Sequence, residues 1–328
     1  MNIRRFMTVG RCFVAVIAAL TGSVAAAQSY PNRPVKIVVP YPPTGTSDFL
    51  ARLVAPKLST NWGVPVVVEN RPGASGNIGM EVVAKSPADG YTLVMTNSAV
   101  AINVGLFPKL GFNVIQDFQP LGLIGSTPMV VTVTASLPID TVAGLTAYAK
   151  QNPGRLAYGS CGIGTPQHLA IELYRSMTGT EMLHVPYSGC APAVTDTISG
   201  QVQLLATTAS QAAQHVQSGA LRALAVTAAH RSLTLPSAPT FAEAGLAGYD
   251  LDIWFGLMAP AKTQTVILEQ IYREVRSIVQ SKPIAERMRI AGVDELLTTR
   301  DVHAMILKQD VEKYLRLIRR LDLAADSR

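Results

Sequence analysis

Two successive stretches of this chain alternate short β-branched runs with helix-like segments, and that rhythm restricts it to an α/β fold with parallel strands. The first stretch places strands at 35–39, 64–69 and 91–95, with helices over 48–58 and 77–85 between them. The second places strands at 155–159, 181–187 and 202–207 around helices over 167–177 and 192–199. Between them, DFQPLGLIGSTPMVVTVTAS is β-rich with no room for a helix, and LRALAVTAA is another isolated strand. Both read as crossings between two α/β lobes. A further strand is expected at 252–258, then helices over 266–280, 284–292 and 301–323. Ile306, Val311, Tyr314, Leu315, Ile318 and Leu321 give the last helix an apolar docking face. The expected lobes are 28–126 with 233–328, and 127–232.

The first 27 residues stand apart. Arg4 and Arg5 precede an apolar core from Phe13 to Leu20, and Ala25, Ala26 and Ala27 close the segment, the pattern of a secretory signal peptide cleaved after Ala27. The apolar core is too short to span a bilayer, and Cys12 precedes it rather than ending it, so a soluble exported protein is expected. With Arg4, Arg5 and Arg11 set aside, 25 basic residues face 22 acidic ones, a net of +3. No basic stripe interleaved with aromatics occurs, and no nucleic-acid partner is expected.

Two loops follow strands and precede helices. In PYPPTGTSD, the N–H groups around Thr44, Gly45, Thr46 and Ser47 converge at a helix start, where dipole and unpaired donors favour an anion. Asp48 stands there as an N-cap or first-turn acid. The counterpart, GSCGIGTPQH, places Gly162, Gly164 and Thr165 at the next such position. Facing each other across a cleft, the two loops suit one small anionic ligand. Asn97 and Ser98, and in the second unit Tyr187, Ser188, Thr207 and Thr208, occupy matching strand ends.

Other chemistries lack a complete motif. Gly162 and Gly164 have no third glycine of a dinucleotide fingerprint, and no P-loop occurs, so no cofactor is expected. His168 and Glu172 share a helix face, but neither a His-Glu-x-x-His motif nor a cysteine pair accompanies them, and no metal is expected. His168 reads as a ligand contact or as a structural histidine, His184 as a core or supporting one, and His215, His230 and His303 as surface residues. A nucleophilic Cys161 needs a base in hydrogen-bond reach, which His168 along the helix does not supply, and no catalytic residue is assigned. Cys161 and Cys190 both follow strands of the second unit. Either they are bridged in an oxidising compartment or their loop tips stand beyond the ~7 Å Cα limit.

The strings YPNRPVKIVVPYPP, VVVENRPGASGNIG, DGYTL, SMTG, HVPY, GQV, LRALAVT, PTFAEAGL and WFGLMAP, in this order, resemble the substrate-binding proteins of tripartite tricarboxylate transporters, the Bordetella uptake gene receptors. The resemblance implies a type II periplasmic-binding-protein fold, with two α/β lobes joined by crossing strands around a ligand cleft. It also implies a monomeric, non-catalytic periplasmic receptor for a small carboxylate, delivered to the transporter's membrane subunits. The ligand's carboxylate would be held largely by backbone amides and water at the first-lobe loop, here Pro43 to Asp48, and in the second lobe the resemblance carries over to Thr165, Gln167 and His168, while the loops at Cys161, Ser188 and Thr207 would decide which carboxylate binds. Thr44 stands where the family usually has glycine, Ser188 where many relatives have lysine, and LLATTAS replaces a segment that often carries an aspartate. Ligand identity turns on these departures. A carboxylate sensor that hands its closed form to a signalling partner is the alternative, and neighbouring genes for membrane subunits or for a sensor kinase discriminate the two.

Overall fold

The β-branched run VKIVV forms strand β1 (Val35–Val39), with Val35, Ile37, Val38 and Val39 all buried, so both of its faces must be covered. In the computed structural model, which describes residues 30–107, 109–320 and 323, β1 lies between β2 (Val66–Asn70) and β3 (Thr92–Asn97), parallel to both. Helix α1 (Thr46–Trp62) connects β1 to β2 and ends at Gly63, whose φ of 69° lets its N–H donate to Ser59 O. Helix α2 (Asn77–Ala84) connects β2 to β3, and α3 (Ala99–Leu106) follows β3.

Strand β4 (Phe118–Thr127) and the much later β10 (Ile253–Pro260) complete this sheet as antiparallel members, with β11 (Asp294–Glu295) at its edge, in the order β11-β4-β10-β3-β1-β2. After Pro128 the chain enters a second sheet as β5 (Met129–Thr134), so the β-rich passage is one crossing. The second sheet adds α4 (Val142–Gln151), β6 (Ala157–Ser160), α5 (Pro166–Thr178), β7 (Leu183–Pro186), α6 (Cys190–Ile198), β8 (Leu204–Thr208), α7 (Ala209–Gln217) and β9 (Leu221–Val226). Its order is β7-β6-β8-β5-β9, with β6 parallel to β7 and β8, and β5 antiparallel to β8 and β9.

The return to the first sheet comes later than the expected boundary at 232. Leu235 and Ala238 pack in one cluster with Val130, Ala209, Ala212 and Val226, all of the second sheet and its helix. Phe241 stacks on Tyr249 at 4.0 Å, and Tyr249 Oη donates to Ala170 O of α5 at 2.7 Å. Residues 235–249 therefore pack with the second sheet, and the chain rejoins the first at β10. These apolar anchors are spaced irregularly along a turn-rich segment, which leaves no strand or helix period to read.

Helices α8 (Thr265–Val279), α9 (Lys282–Ile290) and α10 (Arg300–Arg320) close the first lobe. Helix α10 packs on α3 and β4 through Leu307, Val311, Tyr314, Leu317 and Ile318. Gly105 of α3 allows the approach, since a Cβ there would fall 2.6 Å from Ile318 Cδ1. His303, expected at the surface, is fully buried, edge-on to Trp254, and burial pushes its pKa down to about 3. The expected signal peptide and cleavage point lie outside the described residues, as does Leu321.

Candidate functional site

The carboxyl ends of β1 and β3 in one sheet, and of β6 and β8 in the other, deliver their following helices to a common cavity of about 340 Å³. From the first lobe, Gly45, Thr46 and Ser47 line it at the start of α1, and Asn97 lines it at the end of β3. From the second, Gly164, Thr165 and Gln167 line it at the start of α5, and Thr208 at the start of α7. Eight of the residues singled out from sequence thus share one wall system. A Cβ at Gly164 would clash with Leu106 Cδ1 of α3, so glycine here lets the two lobes approach without moving that leucine.

The start of α1 is built to leave donors free. Gly45 is its N-cap and supplies no side chain, and the first main-chain bond is Phe49 N–H to Gly45 O at 2.9 Å. The N–H groups of Thr46, Ser47 and Asp48 therefore have no intrahelical acceptor. Asn97 braces this turn: its Nδ2 donates to Ser47 Oγ at 3.3 Å, while its Oδ1 accepts from Tyr41 Oη at 3.0 Å and from Ala99 N–H at 2.9 Å. Burial pushes the Tyr41 phenol up to about 12, so it stays neutral.

Asp48 and Thr44 hold the loop from behind. Asp48 accepts from Arg52 Nε at 3.0 Å, from Asn70 Nδ2 at 2.9 Å and from Thr44 N–H at 3.0 Å. Burial raises its pKa, but these donors outweigh it and keep the carboxyl below the usual range. Neither Asp48 nor Thr44 lines the cavity, and Pro43 is exposed outside it. Thr44 adopts a φ of 72°, the left-handed region that its β-branched side chain disfavours.

In the second lobe, Thr165 Oγ1 caps α5 by accepting from His168 N–H at 3.3 Å and donates to Gly162 O at 2.8 Å. His168 turns inward rather than to the cavity. Its Nδ1 accepts from Gly164 N–H at 3.1 Å, which places the neutral ring's proton on Nε2, and the ring stacks on His184 at 4.0 Å. His184 stacks in turn on Tyr158 at 4.8 Å. Burial, then the neighbouring His184 and Arg175, lowers the His168 pKa to about 3, and burial lowers that of His184. His168 does not line the cavity, and the Glu172 carboxylate on the same helix is engaged by Tyr158 Oη and Arg175.

Cys161 and Cys190 form a disulfide with Cα atoms 4.3 Å apart. It fastens the loop before α5 to the start of α6, and Cys190 rather than Cys161 meets the cavity. Gly162, Tyr187, Ser188, Ser98 and Thr207 stand off its wall. Tyr187 Oη donates to Asp196 Oδ2 at 2.8 Å, and Thr207 Oγ1 to Gln211 Oε1 at 2.6 Å.

Sequence reasoning passed over Tyr41, Ser75, Asn103, Gln211, Ile253 and Phe255, which also line the cavity. Two of them were within reach of a pattern: Ile253 and Phe255 alternate along β10, with Trp254 between them turned to Asp310 Oδ2 at 2.7 Å. Ser75 could not have been found that way, since it depends on a φ of 56° secured by Asn103 Nδ2 donating to Ser75 O at 3.0 Å. Among the described residues, Tyr41 is the cavity's only ionisable side chain that is not locked in a disulfide, and no lysine, arginine, histidine or carboxylate lines it.

The comparisons agree with this architecture. Residues 50–323 match the family described as tripartite tricarboxylate transporter family receptor. Protein BugT of Bordetella pertussis is 35% identical over 321 residues, covering 97% of this chain and 98% of BugT. Among solved structures, R. palustris Rpa4515 with adipate is 35% identical with a TM-score of 0.77, covering 88% of this chain and 97% of that one. MatC from Rhodopseudomonas palustris with bound malate is 26% identical with a TM-score of 0.74, covering 88% and 100%. The chain belongs to the tripartite tricarboxylate transporter receptor family.

Proposed function

We propose that this protein captures a small carboxylate in the periplasm by closure of its two lobes and delivers it to the membrane subunits of a tripartite tricarboxylate transporter. The observation that carries the reading is the uncapped start of α1 on an inter-lobe cavity that, among the described residues, is lined by no charged side chain. An anion there is met by oriented N–H groups and the positive end of the helix dipole rather than by a cation. The solved relatives with adipate and malate support the carboxylate class. Contacts made to both lobes at once favour the closed form, which is what a transporter can recognise.

A thermal-shift screen of the mature protein with mono-, di-, tri- and aromatic carboxylates tests this. A ligand that binds only the folded state must raise the melting temperature, so stabilisation by some members is expected. A flat response to every carboxylate contradicts the proposal.

A further inference from the structure

Resting on the carboxylate reading above, we infer that the ligand is a monoanion: its carboxylate sits at the start of α1, and its far end is a neutral hydrogen-bonding group read by Gln167. Gln167 is 8% exposed and lines the cavity, yet no donor or acceptor of the protein engages its side-chain amide. Its amide atoms are reached from the cavity rather than sealed in the protein, so water meets them in the free state, and a ligand that displaces this water has to supply donor and acceptor in its place. Two hydroxyls that share the cavity wall already have protein partners. Thr165 Oγ1 is held by His168 N–H and Gly162 O, and Thr208 Oγ1 accepts from Gln211 N–H at 3.3 Å.

The two ends of the cavity differ in kind. Helix α1 begins with no capping side chain, whereas α5 and α7 are capped by Thr165 and Thr208, and α5 has Pro166, which has no N–H, at its first position. Helix α6 also lacks a capping side chain, but Pro192 removes one of its early donors, and it meets the cavity only through the disulfide-bonded Cys190. A second carboxylate would therefore be buried opposite no cation and beside fewer free donors. It would also leave the Gln167 carbonyl unsatisfied, because a carboxylate only accepts. A hydroxyl or carboxamide satisfies both halves of the amide, and Ile253, Phe255 and Pro166 suit an apolar body between the two ends.

The test is calorimetric titration with matched pairs of one chain length: succinate with succinamate, adipate with adipamate, terephthalate with 4-carbamoylbenzoate. In every pair that binds, the monoamide is expected to bind at least tenfold more tightly. Gln167→Leu should bring the members of each pair to within about threefold while the melting temperature of the unliganded protein stays near wild type. A dicarboxylate that binds as tightly as its monoamide overturns the inference and leaves the carboxylate reading standing. So does a Gln167→Leu variant that keeps the full preference. Failure of all six compounds, together with a flat thermal-shift screen, overturns the carboxylate reading itself.

Discussion

Thr44 N–H donates to Asp48 Oδ2 at 3.0 Å, so Thr44 is a brace of the loop before α1 and not one of its free donors. The carboxylate that receives it also engages Arg52 and Asn70, tying the loop to α1 and β2 together. On the proposed reading the carboxylate is met instead by the N–H groups of Thr46, Ser47 and Asp48, the first turn of α1, which have no intrahelical acceptor.

Because Thr44 holds a φ of 72°, Thr44→Gly removes a left-handed strain of about 1 kcal/mol while keeping the N–H that Asp48 needs. Thermal unfolding is expected to shift upward by a few degrees, with ligand affinity unchanged.

Asp48→Asn removes the charge from this network. The folded carboxyl lies below its ordinary range, so its contribution is present above the unfolded pKa of about 4 and is lost as pH falls through the folded value. Stability followed from pH 6 to pH 2 should fall less steeply at the acid end in the variant, which is about 1 to 3 kcal/mol weaker at neutral pH.

His168 titrates at about 3 in the folded protein, against about 6.5 when unfolded. The unfolded chain binds the extra proton between these values, so the contribution is complete above pH 6.5 and declines as pH falls toward 3, by about 1.4 kcal/mol per pH unit for one proton. His168→Asn, which can keep an acceptor for Gly164 N–H, should show a shallower decline between pH 6.5 and 4 in chemical denaturation.

The disulfide closes a loop between residues 29 apart in sequence, and its loss should cost about 3 kcal/mol. Thiol titration of the denatured mature chain without reductant should find no free thiol. The double variant Cys161→Ser, Cys190→Ser should unfold earlier and bind ligand more weakly, since Cys190 lies on the cavity wall.

Much of the architecture was legible because parallel strands advertise themselves. β1, buried on both faces, coincides with its β-branched run, and the continuous β-rich passage became β4 and β5 on either side of Pro128. Helix α3 escaped because its apolar residues surround it: Val100, Ala101, Ile102 and Leu106 are all buried, leaving no 3.6-residue contrast to detect. His303 was misread although its stripe was available, since 303, 307, 310 or 311, 314 and 317 or 318 fall on one buried helix face. At the site, both strand-end loops were visible as turn chemistry. What could not be read was direction: His168 and Gln167 are adjacent, one turned into a ring stack and the other lining the cavity.

The central claim is that the uncapped start of α1 holds the ligand's carboxylate, and Gly45→Val tests it most directly. Gly45 has φ −74° and ψ 166°, which valine accepts, and a Cβ there meets only Pro42 O at 3.7 Å, so the fold should survive. The side chain would stand where the carboxylate approaches the N–H groups of residues 46–48, and losing those charge-assisted bonds should weaken binding about 100-fold or more. Calorimetry with a carboxylate that binds wild type, paired with the melting temperature of the unliganded variant, is the measurement. The account predicts an intact fold with binding lost; affinity retained in a folded Gly45→Val protein would contradict it.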